Sequence, residues 1–312
     1  TPIMYQDANT FNETLTIFAQ GFMAQRADSL IDFIAPYVST GTASGDYKLF
    51  DKNAPFQIYD DTVIPEDGAS QTVHFNASTG KYDCEPHGLK IPIRDWERKQ
   101  AGEKGFAVMR NGKLNTLLST QLVNREYKGW AKIRAAVTAE TGKGVWAGTA
   151  GADKDPVDEL DALIEQINND TGSMPGFMAW GLSAWRVFKN HPKVLARLSG
   201  IKASATVDDV RGMLLNPNMD IRIGSMPANT AKLGKAAVKK GILGADVFIF
   251  HKSESPTTED MSAVKTFTID APGVAEVHTL RDDLNHREFD EVLWSEDLRI
   301  TAPIAIRRIS VA

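Results

Sequence analysis

Short stretches in which apolar and polar residues alternate fill residues 47–94. Alternation of this kind is typical of β-strands with one face in water. It predicts strands at 47–50, 56–59, 71–75 and 81–84. The apolar residues are too sparse for a core of their own, and an isolated two-stranded hairpin is only marginally stable. We therefore expect an extended hairpin that lies on another surface, for which a second copy of the protein is the simplest candidate.

Before this segment, apolar residues follow a roughly helical spacing. Phe11, Leu15, Phe18 and Phe22 would form one face of an amphipathic helix. A glycine- and serine-containing stretch at 41–45 then predicts a hinge. An amphipathic N-terminal arm with a hinge behind it is suited to docking against a neighbouring molecule.

After the hairpin and residues 94–99, a link interrupted by glycines is expected, and the pattern then predicts a long helix over residues 113–140. Its apolar stripe consists of Leu114, Leu117, Leu118, Leu122, Trp130, Ile133 and Val137. At about 1.5 Å per residue, such a helix is roughly 40 Å long and would act as a strut. Gly129 interrupts it at a cost of about 1 kcal/mol relative to Ala.

A compact α/β pattern begins near residue 151. Asp155 followed by Pro156 predicts a helix start, and the polar stretch 168–172, which closes with Gly172, predicts the end of that helix. Thr206 with Asp209 approximates a capping box for a second helix. Strands are predicted at 177–180, 220–223, 247–250, 266–269, 289–294, 298–301 and 304–306. The strand-like ending would pair with an earlier element.

Composition limits the function without defining it. A length of 312 residues suits two domains, or one domain with extended appendages. The net charge of −5 gives no overall attraction for nucleic acid. The basic residues Lys232, Lys235, Lys239 and Lys240 form a cluster, which we interpret as the solvated face of a helix.

Cys84 is the sole cysteine, so the chain has no internal disulfide, which fits a reducing compartment. The sequence has no apolar run long enough to span a membrane and no signal peptide at its start. Thr1 is expected to follow an excised initiator Met, with removal of a propeptide as the alternative.

Candidate catalytic and metal sites are incomplete. Ser183 occupies the place of a hydrolase nucleophile, but Trp185 is too large for that tight turn, so we interpret Ser183 as a helix N-cap. Cys84 and His87 have the spacing of metal ligands without a second pair, and we expect a buried Cys and a surface His. The sequence therefore predicts no catalytic, cofactor-binding or metal-binding residues.

Two groups of residues are candidates for contacts between subunits. Asp60, Asp61, Glu66 and Asp67 mark the hairpin tip, where they could bind a cation, face solvent, or meet Arg or Lys on a neighbour. Trp96 lies between Arg94 and Arg98, and Trp and Arg dominate binding hot spots. Trp96 is thus either an interface anchor or a core residue with solvated charges beside it.

The order of these parts resembles the major capsid proteins of tailed bacteriophages, which have the Hong Kong 97-type fold. Three sequence segments also resemble segments of that family: residues 114–131 with Asn124-Arg125-Glu126, residues 169–176, and the closing stretch 298–305. The resemblance covers nearly the whole chain, although its motifs are diffuse. One departure is that no long charged helical segment precedes the arm. The lysine–asparagine cross-link of certain members has no motif here that would place its partners.

The resemblance implies an α+β fold with an N-terminal arm (1–40), an extended β-hairpin loop (41–90), a peripheral domain with a long spine helix (91–150 and 263–312) and an axial domain (151–262). It further implies a structural protein, not an enzyme, that assembles into hexamers and pentamers of an icosahedral head around double-stranded DNA. Implied partners are other copies of the chain, a scaffolding protein, a portal and, as an option, a decoration protein, with no cofactor and no membrane. The expected location is the virion, assembled in the bacterial host cytoplasm.

Two alternatives remain open at this point. An encapsulin-type compartment would use the same fold to hold a protein cargo. A soluble α/β enzyme with a β arm would instead have a ligand pocket within residues 151–262.

Overall fold

The computed structural model describes residues 10–25, 29–50, 64, 78–198, 204–232, 234–269 and 276–312. The helices are α1 (Glu13–Gln25), α2 (Ile31–Ile34), α3 (Asp95–Ala136), α4 (Gly148–Gly151), α5 (Pro156–Thr171), α6 (Leu182–Lys189), α7 (Pro192–Arg197) and α8 (Val207–Met213), with a 3₁₀ turn at Pro303–Ala305. The strands are β1 (Tyr37–Ser39), β2 (Ser44–Leu49), β3 (Ser78–Asp83), β4 (Glu85–Arg94), β5 (Phe177–Gly181), β6 (Asp220–Gly224), β7 (Pro227–Asn229), β8 (Lys239–Gly241), β9 (Asp246–Phe250), β10 (Val264–Thr268), β11 (Glu276–Asp282), β12 (Arg287–Ile300) and β13 (Ile306–Ser310).

The long strand β12 is the centre of a five-stranded sheet. β4 pairs antiparallel along one edge of β12, while β11 and then β10 pair along the other edge. β1 joins β10 in parallel. The two strands predicted at 289–294 and 298–301 are therefore a single strand.

The helix α3 lies against this sheet. Leu114 and Leu118 are fully buried and share a core with Val277 of β11 and Val292 of β12. Leu15 of α1 belongs to the same core, so the predicted arm helix exists and packs on its own chain. Asn12, just before α1, donates its N–H to the Val277 carbonyl at 2.9 Å and extends the sheet edge.

A four-stranded sheet with the order β13-β9-β5-β6 forms the second layer. Alternate residues of β5 point to opposite faces, as in any strand. Met178 and Trp180 pack with the cores of α5 and α6, whereas Ala179 packs with Trp130 of α3 on the other face. The sheet is thus buried on both sides, which explains the nearly continuous apolar sequences of its central strands β5 and β9.

The C-terminal strand β13 pairs with β9, as expected for an ending that returns to an earlier element. Arg308 of β13 and Arg134 of α3 both bind the carboxylate of Asp246, at 3.0 and 2.5 Å. The domain boundaries stay a prediction, and within them β13 lies in the sheet of β9 rather than in the sheet of β12.

The packing of α2 on α3 explains why a glycine, Gly129, lies inside the long helix. A Cβ at this position would lie 2.6 Å from the side chain of Ile31. The helix accepts the cost of a glycine because it allows α2 to approach closely.

Several local predictions are confirmed. Asp155 caps α5 by accepting the Val157 N–H, and Gly172 ends that helix in the left-handed conformation. Thr206 and Asp209 form the capping box of α8. These capping interactions join residues that are close in sequence, so the local sequence is sufficient to predict them.

Other local predictions are wrong. α3 begins at Asp95 instead of residue 113 and ends at Ala136. α6 begins at Leu182 with Gly181 as its N-cap, so Ser183 lies inside the helix and is not the cap. The lysine cluster belongs to the hairpin of β7 and β8 and the loop between them, not to a helix face.

None of the helices in the described ranges has both the length and the apolar character that crossing a membrane requires.

Candidate assembly interface

The first turns of α3 fold back on the rest of that helix. Lys113 donates to the Glu97 carboxylate at 2.5 Å. In one straight helix, sixteen residues would separate the two Cα atoms by about 24 Å, more than both side chains can span. The bend lies at Gly102, whose φ of 66° and ψ of 174° belong to a region that is essentially restricted to glycine.

Charged contacts hold the two parts of α3 on the sheet. Arg110 pairs with Glu288 at 3.1 Å, and its Nε donates to Asp290 at 2.8 Å. Arg98 comes from the other side of the bend and pairs with Glu288 at 3.6 Å, with its guanidinium 4.7 Å from the Phe106 ring centroid. The fold-back is thus fixed by β12 rather than by helix propensity.

The start of α3 is attached to the hairpin of β11 and β12. Arg281 donates through two nitrogens to the Asp95 carboxylate, at 2.5 and 2.6 Å. This bidentate pair lowers the pKa of Asp95 below its ordinary value. The Asp95 N–H also donates to the His286 carbonyl at 3.1 Å.

Trp96 is 66% exposed on this fold-back, so the alternative of a core tryptophan is wrong. Arg94 is also exposed, and its N–H donates to the Glu97 carboxylate at 3.0 Å. Leu284 is 90% exposed in the turn that ends at His286. The structure therefore exposes Arg94, Trp96 and Arg98 at the surface of the start of α3, and their role as an interface stays a prediction.

A cleft of about 740 Å³ adjoins this surface. Lys99, Glu103 and Phe106 line it from α3, and Arg281 and Glu288 line it from the sheet. The lining of this cleft is mostly charged, with both signs present, and Phe106 is its aromatic residue.

Asp60, Asp61, Glu66 and Asp67 lie outside the described residues, as do the predicted strands at 56–59 and 71–75. The base of the hairpin is described, and it packs on its own chain. Tyr47 and Tyr82 stack on the Phe267 ring with centroid distances of 5.3 and 4.6 Å. For the base of the hairpin, the supporting surface is the chain itself and not the second copy that we expected as the simplest candidate.

The two tyrosines also fix the pairing of β2 with β3. Gly45 lies opposite Tyr82, and Gly80 lies opposite Tyr47. A Cβ on Gly80 would lie 2.3 Å from the Tyr47 ring, and one on Gly45 would lie 2.4 Å from the Tyr82 hydroxyl. Each ring covers the glycine across from it, and residues 44–45 of the predicted hinge are paired within β2.

Cys84 is buried beside this base, as predicted. Burial, and secondarily the negative charges of Asp297 and Asp83, raise the pKa of its thiol to about 11. His87 is half-buried and lies 5.7 Å from Trp294, ring centroid to centroid. In the part of the chain that the structure describes, no cluster of three or more His, Cys, Asp or Glu could hold a metal.

The sequence-based predictions missed Glu126, a buried carboxylate on α3. It accepts hydrogen bonds from Ser29 Oγ (2.8 Å), from the N–H groups of Leu30 and Ile31 (3.1 Å each) and from Trp130 Nε1 (2.7 Å). It thereby anchors the segment before α2 to α3. The signal was available: Glu126 lies in the apolar stripe, four residues from both Leu122 and Trp130.

The neighbouring Arg125 was also missed. Its side chain is 7% exposed and pairs with Asp32 and Glu296, each at 2.6 Å. The two carboxylates raise the pKa of this guanidinium further above its ordinary value, against the opposing effect of burial. Arg125 therefore ties α2 and β12 to the same turn of α3.

Neither a protein-family model nor a curated protein sequence matches the chain. Solved structures do match, over nearly its whole length. A phage-related protein from Bordetella bronchiseptica has a TM-score of 0.74 at 18% identity, covering 97% of this chain and 98% of that one. The capsid of cyanophage P-SCSP1u has a TM-score of 0.55 at 12% identity, covering 89% and 86%.

An encapsulin from Synechococcus elongatus matches with a TM-score of 0.53 at 11% identity, covering 92% of this chain and 88% of that one. At such identities, similarity establishes the fold alone. It agrees with the α+β architecture found here, in which a long helix lies on one sheet and connects to a second. The chain therefore has the fold of the phage major capsid proteins, the Hong Kong 97-type fold.

Proposed function

We propose that the protein is a structural shell subunit that assembles into the hexamers and pentamers of an icosahedral phage head around double-stranded DNA. The observation that carries this proposal is the match to a cyanophage capsid at a TM-score of 0.55 over 89% of this chain and 86% of that one. Because both chains match over most of their length, the likeness concerns the whole subunit, not a shared motif.

In this proposal, the four-stranded sheet with α5 to α8 is the axial domain near the ring centre. The five-stranded sheet with α3 is the peripheral domain. Asp246 supports their connection, because it binds Arg134 of α3 and Arg308 of β13 together. The hairpin would reach across an adjacent subunit, and its stacked base on Phe267 would give it a defined direction.

The contacts between subunits would use the start of α3, where Arg94, Trp96 and Arg98 are exposed. Asp60, Asp61, Glu66 and Asp67 are proposed to meet Arg or Lys of a neighbour, since desolvated charge pairs set register as well as energy. Each such contact can be weak, because closing the shell makes all of them act together.

The proposed partners are other copies of the chain, a scaffolding protein, a portal and, as an option, a decoration protein. The proposed location is the virion, after assembly in the bacterial host cytoplasm. A structural role, without enzymatic activity, follows from the same proposal.

A compartment that holds a protein cargo is the second candidate. The match to the Synechococcus elongatus encapsulin favours it, with a TM-score of 0.53 that is close to the value for the cyanophage capsid. The two candidates share the subunit and differ in what the shell encloses.

Electron microscopy and sedimentation of the protein, expressed alone and with its scaffolding protein, test the proposal. We expect closed shells of tens of nanometres that, when made in infected cells, protect double-stranded DNA from nuclease. Shells that enclose a protein and no DNA would decide for the compartment. A small species that persists even with scaffold would reject both.

A further inference from the structure

The hairpin of β7 and β8 concentrates positive charge in a chain that is negative overall. Residues 223–245 contain four lysines and no Asp or Glu, while the whole chain has a net charge of −5. All four lysines are exposed; they are Lys232, Lys235, Lys239 and Lys240.

The backbone of this hairpin is ordered without the lysine side chains. Asn229 Oδ1 accepts the N–H groups of Ala231 at 3.2 Å and Val238 at 2.9 Å. The Thr230 N–H donates to the Val238 carbonyl at 3.0 Å. Among the described residues, these turn contacts come from the Asn229 side chain and the backbone, and none of them involves a lysine ammonium group.

Among the described residues, none of the four lysines forms an ion pair with a carboxylate. The arginines around them do, since Arg134 below the hairpin pairs with Asp246, and Arg222 in the preceding strand pairs with Asp220. Uncompensated charge on an ordered element is available to a partner.

We infer that this hairpin contacts the phosphate backbone of the double-stranded nucleic acid inside the shell, an inference that rests on the proposed function. Ammonium groups on flexible stems suit phosphates, which position a nucleic acid without reading its sequence. Neighbouring residues of a strand point to opposite faces, so Lys239 and Lys240 charge both sides of the hairpin. Charge on both sides of a hairpin suits contact with an extended polyanion better than it suits binding of a small anion in one pocket.

An acidic protein segment is a less suitable partner. Protein interfaces depend on buried apolar anchors. Val238, 47% exposed, is the one large apolar side chain that stands out to solvent among the described residues of this hairpin. Nucleic acid is therefore the proposed partner, and binding of an acidic protein is one of the outcomes of the test.

The test measures binding of unassembled subunits to fluorescent DNA duplexes of two unrelated sequences by anisotropy, over a series of salt concentrations. The variant K232Q/K235Q/K239Q/K240Q is compared with the wild type. A matched control, K81Q/K104Q/K128Q/K154Q, removes the same charge from four exposed lysines elsewhere.

We expect the hairpin variant to bind both duplexes at least tenfold more weakly at low salt. The slope of log affinity against log salt concentration should become shallower by up to about 3.6, because each lost phosphate contact contributes about 0.9. The control should keep most of the affinity. Equal losses in both variants, or a wild type that does not bind at the lowest salt, would overturn the inference.

Binding of the scaffolding protein is measured on the same variants. If the hairpin variant loses scaffold binding and keeps its DNA affinity, the partner is an acidic protein and the inference is wrong. Shell formation is followed separately by sedimentation. If the hairpin variant forms shells normally and its DNA affinity is unchanged, this inference alone is refuted. If the wild type forms no shells with its scaffold, the proposed function is refuted.

Discussion

Glu97 and Lys113 form an ion pair at 2.5 Å, although sixteen residues of the same helix separate them in sequence. The pair exists because α3 turns back at Gly102, which places Trp96 on an exposed corner of the subunit. The surface that we propose for assembly therefore depends on position 102, which only glycine can occupy without strain.

The first prediction concerns this bend. Gly102→Ala should lower the free energy of unfolding by about 1–3 kcal/mol, because the backbone conformation of Gly102 is essentially closed to residues with a Cβ. Urea denaturation measures it. Gly112→Ala, in the exposed interior of the same helix with free space around the new Cβ, should instead stabilise by about 0.5–1 kcal/mol. Equal stability of wild type and Gly102→Ala would contradict the bend.

The second prediction concerns the buried carboxylate. Glu126→Gln replaces one acceptor oxygen by an NH₂ group that faces two donors, and should destabilise the protein by about 2–3 kcal/mol. Glu103→Gln, at an exposed position of α3, should change stability by less than about 0.5 kcal/mol. Similar denaturation midpoints for both variants would mean that Glu126 does not anchor the α2 segment.

The third prediction concerns the hairpin base. Gly80→Ala should displace the Tyr47 ring from Phe267 and cost about 1–3 kcal/mol, because its Cβ would lie 2.3 Å from that ring. Near-ultraviolet circular dichroism should report the changed ring environment. Gly176→Ala has open space at its Cβ and is the control. An unchanged spectrum and stability for Gly80→Ala would show that Tyr47 does not cover this glycine.

The fourth prediction is a pH dependence. Because the pKa of Cys84 is raised to about 11, the protonated and unreactive thiol dominates at pH 8. Alkylation by iodoacetamide in the native state should be slow at pH 8 and accelerate as the pH approaches 11. Unfolding in guanidinium at pH 8 should remove the protection. Rapid alkylation of the folded protein at pH 8 would disprove the burial of this thiol.

The fifth prediction separates folding from assembly at Trp96. Trp96→Ala should change the free energy of unfolding by less than about 0.5 kcal/mol, since the side chain is exposed. It should raise the subunit concentration needed for shell formation at least tenfold, corresponding to a loss of about 1.4 kcal/mol per contact. Sedimentation measures this concentration. Tyr127→Ala, an exposed aromatic elsewhere on α3, should assemble normally, and identical assembly of both variants would exclude Trp96 as an anchor.

The sequence predicted those parts of the fold that short-range chemistry determines. Asp155, Gly172 and Thr206 act within a few residues of themselves, so the ends of α5 and α8 could be read directly. The resemblance to capsid proteins predicted the α+β architecture as a whole, and the structural comparisons confirm that fold.

The start of α3 could not be read in this way. Gly102, Gly105 and Gly112 suggested a link rather than a helix, because each lowers helix propensity by about 1 kcal/mol. Packing of this segment on β12, through Arg110 and its partners, outweighs that cost. The exposure of Trp96 depends on the same long-range contacts, which is why both alternatives for it remained open.

The lysine cluster misled the interpretation for a different reason. The spacing of Lys232, Lys235 and Lys239 is also the spacing of one helix face. Asn229 organises the turn through its side chain, and asparagine competes with helical hydrogen bonds in this way. The interface acids at 60–67 stay predictions.

The position of β13 has a consequence for synthesis on the ribosome. The strands β5, β6 and β9 are translated first, but Ile306 and Ile309 of β13 fill their cores on opposite faces, and Arg308 completes the pairing of Asp246. A nascent chain that lacks β13 leaves apolar surface open on both sides of the sheet. Completion of the fold is thus delayed until β13 has left the ribosome, which would keep shorter nascent chains from acting as competent building blocks.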